Sequence, residues 1–143
     1  MLKLPKDSNG FTLIEVMVAI LILMVGMLGL LQAINLATEV NIRNQVREEA
    51  VYVGERVMNE MRGRVFDNIS VAATKKNFYT YGTYQLPSKI RGASRSYSVT
   101  RKSRVLSEVD GKDVTKELTV TVAWSYKGVG YQNQVVAPIS ILR

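Results

Sequence analysis

From Phe11 to Leu31 the chain reads FTLIEVMVAILILMVGMLGLL, 21 residues that carry a single charge, Glu15. As a helix this segment is roughly 32 Å long, enough to cross the hydrocarbon core of a bilayer. No further charge occurs before Glu39, so the uncharged stretch runs on to Thr38 and leaves slack for tilt. The mean hydropathy of +0.03, high for a chain that is 22% charged, averages this segment with a polar remainder and describes neither. Ahead of the segment lies MLKLPKDSNG, with Lys3 and Lys6 against Asp7. Those lysines favour a cytoplasmic N-terminus with the rest of the chain outside, although Arg43 and Arg47 on the far side weaken the bias.

Three kinds of N-terminal segment compete. A secretory signal has an apolar region of only about 7–15 residues followed by a small-x-small cut. The apolar run is longer than that, and Asn35-Leu36-Ala37, the nearest candidate cut, is poor. A plain single-pass anchor explains the length but not Glu15. A carboxylate inside a span costs about 2.5–3.5 kcal/mol even on lenient insertion scales, so it is a functional candidate once a partner is named.

The string Gly10-Phe11-Thr12-Leu13-Ile14-Glu15-Val16 resembles the processing signal of type IV prepilins and type II secretion pseudopilins. The resemblance implies that residues 1–10 are a leader, and that a membrane-embedded prepilin peptidase cuts between Gly10 and Phe11 and methylates the new Phe11 amine. Glu15 takes the family's acidic position, fifth after the cut. Other minor and major pilins and an inner-membrane pilus assembly platform are the implied partners. The implied location is the bacterial inner membrane, single-pass with the C-terminal domain periplasmic, and then the pilus.

Physical chemistry agrees with that reading. Cleavage creates an ammonium at Phe11, one helical turn from Glu15. A carboxylate near a helix N-terminus is favoured by about 0.3–1 kcal/mol when exposed. In an apolar bundle, Glu15 of an incoming subunit, with Thr12 beside it, pairs with the Phe11 amine of a neighbour. Breaking such a buried pair typically costs about 3–5 kcal/mol, so Glu15 acts as a register device for assembly more than as a source of net stability.

No proline occurs between Pro5 and Pro87. Val46, Ala50, Val53, Val57 and Met61 form an apolar stripe of helical period, with Glu48, Glu55, Arg56, Asn59 and Arg62 off it. One helix is expected from about Phe11 to about Phe66, its membrane or filament-core half at 11–38 and its amphipathic half at 39–66. Gly26 and Gly29 suit close approach of neighbouring helices, or simply the glycine content of membrane helices.

Residues 67–95 read as a loop region. After it, residues 96–143 read as an antiparallel meander of at least three strands. Tyr97 to Leu106, Leu118 to Tyr126 and Val135 to Ile141 all alternate with period two. Asp110-Gly111 and Lys127-Gly128-Val129-Gly130 mark the turns, and Pro138 sends the last strand to an edge. The expected fold class is α+β, with the helix stripe covered by the sheet to form a domain over 39–143. Pilins have this arrangement. Major pilins usually add a disulfide-closed loop, which a chain without cysteine lacks, and this implies a minor pilin or a pseudopilin. Val25-Gly26-Met27-Leu28-Gly29-Leu30-Leu31-Gln32, followed by Glu55-Arg56-Val57-Met58-Asn59-Glu60-Met61-Arg62, is most similar to the type IV pilus modification (PilV) minor pilins, ahead of the I-type minor pseudopilins of type II secretion.

The remaining chemistry is sparse. With no Cys and no His, thiolate metal sites, a cysteine nucleophile and the commonest general base are excluded. No nucleophile motif or phosphate loop is found, so the chain reads as a non-enzyme without cofactor or metal. Glu108, Asp110, Asp113 and Glu117 gather near the first turn but lack the EF-hand spacing, and read as a polar turn. Of the net charge of +7, residues 68–107 hold +8 alone, through Lys75, Lys76, Lys89, Arg91, Arg95, Arg101, Lys102 and Arg104. Phe78, Tyr79, Tyr81, Tyr84 and Tyr97 are interleaved with them. Cations among aromatic faces suit an anionic partner such as single-stranded nucleic acid, which would make the chain an anchored periplasmic nucleic-acid-binding protein, but the preferred reading is a solvated surface whose tyrosines pack on the sheet, or a face that meets acidic neighbours in the pilus.

Overall fold

The computed structural model describes residues 10–74, 77–90 and 96–141. Within them are one long helix, α1 (Leu13–Arg62), a 3-10 turn at Phe66–Asn68, and four strands: β1 (Tyr79–Pro87), β2 (Ser96–Val109), β3 (Lys112–Tyr126) and β4 (Val129–Ser140). Two compact units divide between Asn41 and Ile42. In the first, every residue from Gly10 to Thr38 is exposed. Leu13, Ile22 and Val25, for example, are at least 69% exposed among the described residues.

The second unit is built on a sheet of order β1-β2-β3-β4, antiparallel throughout. Two-residue turns set its register. Asp110 and Gly111 both have positive φ between the paired residues Val109 and Lys112, and Lys127 and Gly128 do the same between Tyr126 and Val129. These are type I′ geometries, which match the right-handed twist of the flanking strands. Pro138 lies on β4, an edge strand, as its missing amide requires.

Alternate residues of the strands bury Tyr97, Val99, Leu118, Val120, Val122, Trp124 and Ala137 in one cluster with Val46, Ala50, Val57, Met58 and Met61 of α1. The stripe therefore meets the sheet as its period dictates, with Val53 at its half-buried margin. Gly54 is buried where the helix comes closest: a Cβ there stands 3.1 Å from Val135 Cγ2 and 3.5 Å from Val122 Cγ2. Its conformational cost in a helix is offset by this approach.

Two boundaries differ from expectation. The helix begins at Leu13 rather than Phe11, because Thr12 caps it. It ends at Arg62 rather than near Phe66, where Gly63 and the 3-10 turn take over. The region read as loop, 67–95, contains a full strand, β1. Its alternation is broken by a bulge between Thr80 and Thr83 with Gly82 at φ 93°, so its inward residues Tyr81, Tyr84 and Leu86 fall at steps of three and two. No period-two scan recovers such a strand.

Buried polar groups lock the layers together. Lys116, only 4% exposed, donates to the carbonyls of Phe66 (3.0 Å) and Ile69 (2.9 Å), with its ammonium 4.4 Å from the Phe66 ring centroid. This ties the 3-10 turn to β3. Nearer the front of the sheet, the fully buried Tyr97 donates its hydroxyl to Val46 O (3.1 Å) and Glu49 Oε2 (2.8 Å). Glu49 also accepts from Ser88 Oγ (2.5 Å) and the Lys89 amide (2.6 Å). One carboxylate thus joins α1, β2 and the segment after β1.

Burial pushes the Glu49 carboxyl up, but hydrogen bonds from Ser88, Lys89 and Tyr97, with the Lys89 charge, outweigh it and hold it below its ordinary 4.5. A carboxyl made more acidic by folding contributes stability above its unfolded pKa, and this is lost as pH falls through the lowered value. The Glu49→Gln variant is therefore expected to be less stable than the native chain at neutral pH, with the gap closing below pH 4.5. Urea unfolding followed by Trp124 emission measures this; a gap independent of pH contradicts it.

Candidate processing and assembly site

The first turn of α1 is organised by Thr12 and Glu15. Glu15 N–H donates to Thr12 Oγ1 at 3.3 Å, and Thr12 N–H donates back to Glu15 Oε2 at 3.2 Å. The Thr12 hydroxyl also donates to Oε2 at 3.2 Å, and Val16 N–H reaches Thr12 O at 3.3 Å, opening the helical ladder. This is a capping box, in which the residue before the helix and the third residue within it satisfy each other's free amides. The signal is present in the sequence as Thr12-Leu13-Ile14-Glu15, a threonine and a glutamate three apart before an apolar run. Treating Glu15 only as a charge stranded in a span passes over it.

Gly10 and Phe11 precede the cap outside the helix. Phe11 is 86% exposed. A Cβ on Gly10 meets nothing within 4 Å, so no packing within the chain demands glycine there. Phe11, Glu15, Val16, Ala19, Ile20 and Leu23 line an apolar groove of about 480 Å³ along one helix face, with Glu15 as its charged member among the described residues. Gly26 and Gly29 likewise have open space where a Cβ would stand. The four residues expected to act together, Gly10, Phe11, Thr12 and Glu15, are thus gathered at one exposed helix start.

A model of the prokaryotic N-terminal methylation motif matches residues 5–31. This chain carries that motif. The match supports the type IV pilin and pseudopilin family, in which the motif is a substrate of prepilin peptidase, and together with the apolar helix it supports membrane anchoring. No curated protein and no solved structure matches the chain. The helix-and-sheet arrangement is pilin-like.

The basic segment is distributed differently from the expectation of one face. Lys75, Lys76, Arg91 and Arg95 lie outside the described residues, as do Lys3 and Lys6 of the leader. Of the others, Arg101 is opposite the buried Val120, and its guanidinium lies over Tyr84 (5.2 Å) and Tyr81 (5.8 Å) on the helix-facing side of the sheet. Lys102 and Arg104 alternate to the opposite side. There Arg104 pairs with Glu117 at 2.9 Å and lies 4.7 Å from the Phe78 ring centroid. The Nε atoms of Arg101 and Arg104 are both buried. Lys89 stands apart, its backbone held by Glu49. The four described cations therefore do not form one strip for a polyanion. The pairing with Arg104 also removes Glu117 from the acidic turn cluster, and among the described residues no three carboxylates converge on a metal position.

Thr12→Ala removes the hydroxyl that receives the Glu15 amide. Loss of an N-cap costs about 0.5–2 kcal/mol, which corresponds to faster local opening by a factor of a few to about thirty. Amide hydrogen exchange of the full chain in detergent is expected to accelerate at Glu15 and to be unchanged at the buried residues of β3. Equal exchange at Glu15 in both proteins contradicts the capping role.

Proposed function

We propose that the chain is a minor type IV pilin, a non-enzymatic structural subunit. It enters the inner membrane as a precursor, is cut between Gly10 and Phe11, is methylated on the Phe11 amine, and is then drawn into a pilus or its initiating tip complex. The observation that carries this reading is the methylation motif at residues 5–31 leading directly into a capped helix exposed from Gly10 to Thr38. A segment so exposed has to be buried by lipid before assembly and by other subunits after it. Other minor and major pilins, and an inner-membrane assembly platform, are the corresponding partners.

Glu15 has two successive roles in this reading. Before assembly it caps its own helix through Oε2, to which both Thr12 donors point. On assembly Oε1 takes the Phe11 ammonium of a neighbouring subunit, at the charged end of the apolar groove. The absence of cysteine, and with it of a disulfide-closed loop, supports a minor subunit over a major one. The similarity of the Val25–Gln32 and Glu55–Arg62 phrases to PilV-type proteins supports the pilus over a secretion system.

Gly10→Ala is the direct test, since the added methyl meets nothing within the chain. Mass spectrometry of the membrane-inserted protein, expressed with prepilin peptidase, is expected to show the native chain shortened to Phe11 and methylated, and the variant intact. Normal cleavage of the variant overturns the processing step. Deletion of the protein is expected to reduce surface pili while protein secretion continues; the converse assigns it to the I-type pseudopilins.

A further inference from the structure

The second unit carries a recess of about 350 Å³ lined by Arg43, Asn44 and Arg47 of α1 and by Trp124, Tyr131 and Gln132 of the sheet. Arg43 and Arg47 are one helical turn apart, so both guanidiniums project from the same face. They flank Val46, whose carbonyl accepts from the buried Tyr97 hydroxyl. Tyr97 meets Trp124 edge-on at 6.3 Å, and Trp124 stacks on Tyr131 at 5.9 Å. The recess is therefore lined by a packed aromatic pair, by two arginines of one helix face, and by the amides of Asn44 and Gln132.

Its composition selects a ligand class. Two guanidiniums on one face are suited to a phosphate or phosphodiester, which they bind through paired charge-assisted hydrogen bonds. The aromatic rings are not a platform for nucleobases. They are stacked on each other, and Trp124 is only 9% exposed, so the recess is offered an apolar rim rather than an open ring face. Arginine with tryptophan and tyrosine is the combination that membrane proteins place at the boundary between headgroups and acyl chains. Arg43 follows Thr38, the last residue of the uncharged stretch, by five positions and is the first cation after it.

We propose that this recess binds the headgroup of an anionic phospholipid. The phosphodiester lies between Arg43 and Arg47, headgroup hydroxyls meet Asn44 and Gln132, and the start of the acyl region meets the Trp124–Tyr131 rim. The inference depends on the membrane helix and not on the assignment as a pilin, so leader processing and lipid binding succeed or fail separately.

Trp124 is the single tryptophan of the chain and lies in the recess, so its emission reports occupancy directly. The full chain in dodecyl maltoside micelles is titrated with phosphatidylglycerol, with phosphatidylcholine, and with inorganic phosphate. A saturable change in Trp124 emission with phosphatidylglycerol is expected, with little response to the other two. Arg43→Gln/Arg47→Gln is expected to weaken the response roughly tenfold or more, as loss of two interfacial cations implies. Arg56→Gln/Arg62→Gln removes the same charge elsewhere on α1 and is expected to leave it unchanged. Circular dichroism verifies that both variants retain the fold. An equal response to phosphatidylcholine, an undiminished response in the Arg43/Arg47 variant, or equal weakening in the Arg56/Arg62 variant overturns the site. Reproduction of the response by inorganic phosphate at the same concentrations overturns its assignment to lipid.

Discussion

An apolar helix surface that none of the described residues covers governs the rest of this structure. Burying a Leu, Ile, Val or Met side chain is worth about 1.5–3 kcal/mol, and from Gly10 to Thr38 the chain forgoes that gain at every position. The covering must come from outside, from lipid or from other helices. In either medium an unpaired backbone amide costs several kcal/mol, so the first amides of the helix need partners from within. Thr12 and Glu15 supply them reciprocally. The one charge in the span, costly as an isolated carboxylate, thus accepts a hydrogen bond from the cap residue of the helix that carries it.

The same helix obeys a different rule after Ile42. There its turns bury Val46, Ala50, Gly54, Val57, Met58 and Met61 on one face, while its other face carries mostly charged and polar residues together with the exposed Val51 and Tyr52. Apolar burial supplies most of the attraction between helix and sheet, but it does not fix their registration. The buried Tyr97 and Lys116 and the half-buried Glu49 do so, because each finds its hydrogen-bond partners in one arrangement of the layers. Gly54 sets how closely the layers approach.

What could be read from sequence follows from which signals are local. The apolar span, the helix stripe, the strands from Tyr97 onward and both Gly-containing turns rest on fixed periods or on φ > 0 requirements, and the fold keeps all of them. β1 was hidden because its bulge at Gly82 shifts the phase of its inward residues, so the strand is defined by pairing with β2 and not by its own alternation. Glu49 was hidden for a related reason. It lies beside the stripe, one position before Ala50, and its partners Ser88, Lys89 and Tyr97 are about forty to fifty residues away in sequence. The methylation motif was legible because it is contiguous. The capping box within it needed only the Thr12-x-x-Glu15 spacing.

Charge was the least transferable of the sequence signals. Eight cations without an acid between residues 68 and 107 look like a surface when counted along the chain. A strand sends neighbours to opposite faces, so Arg101 joins the tyrosines on the helix side while Arg104 finds Glu117 on the other. Local cation density in a strand is therefore divided by the pleat, and its aromatic neighbours take up what remains. On a helix the arithmetic runs the other way. Arg43 and Arg47 add little to the composition, but a spacing of four concentrates them on one face, beside an aromatic pair donated by the sheet. Two cations one turn apart on a helix share one face, whereas Arg101 and Arg104 are sent to opposite faces of the sheet, so the secondary structure, not the net charge of +7, decides which of these cations act together.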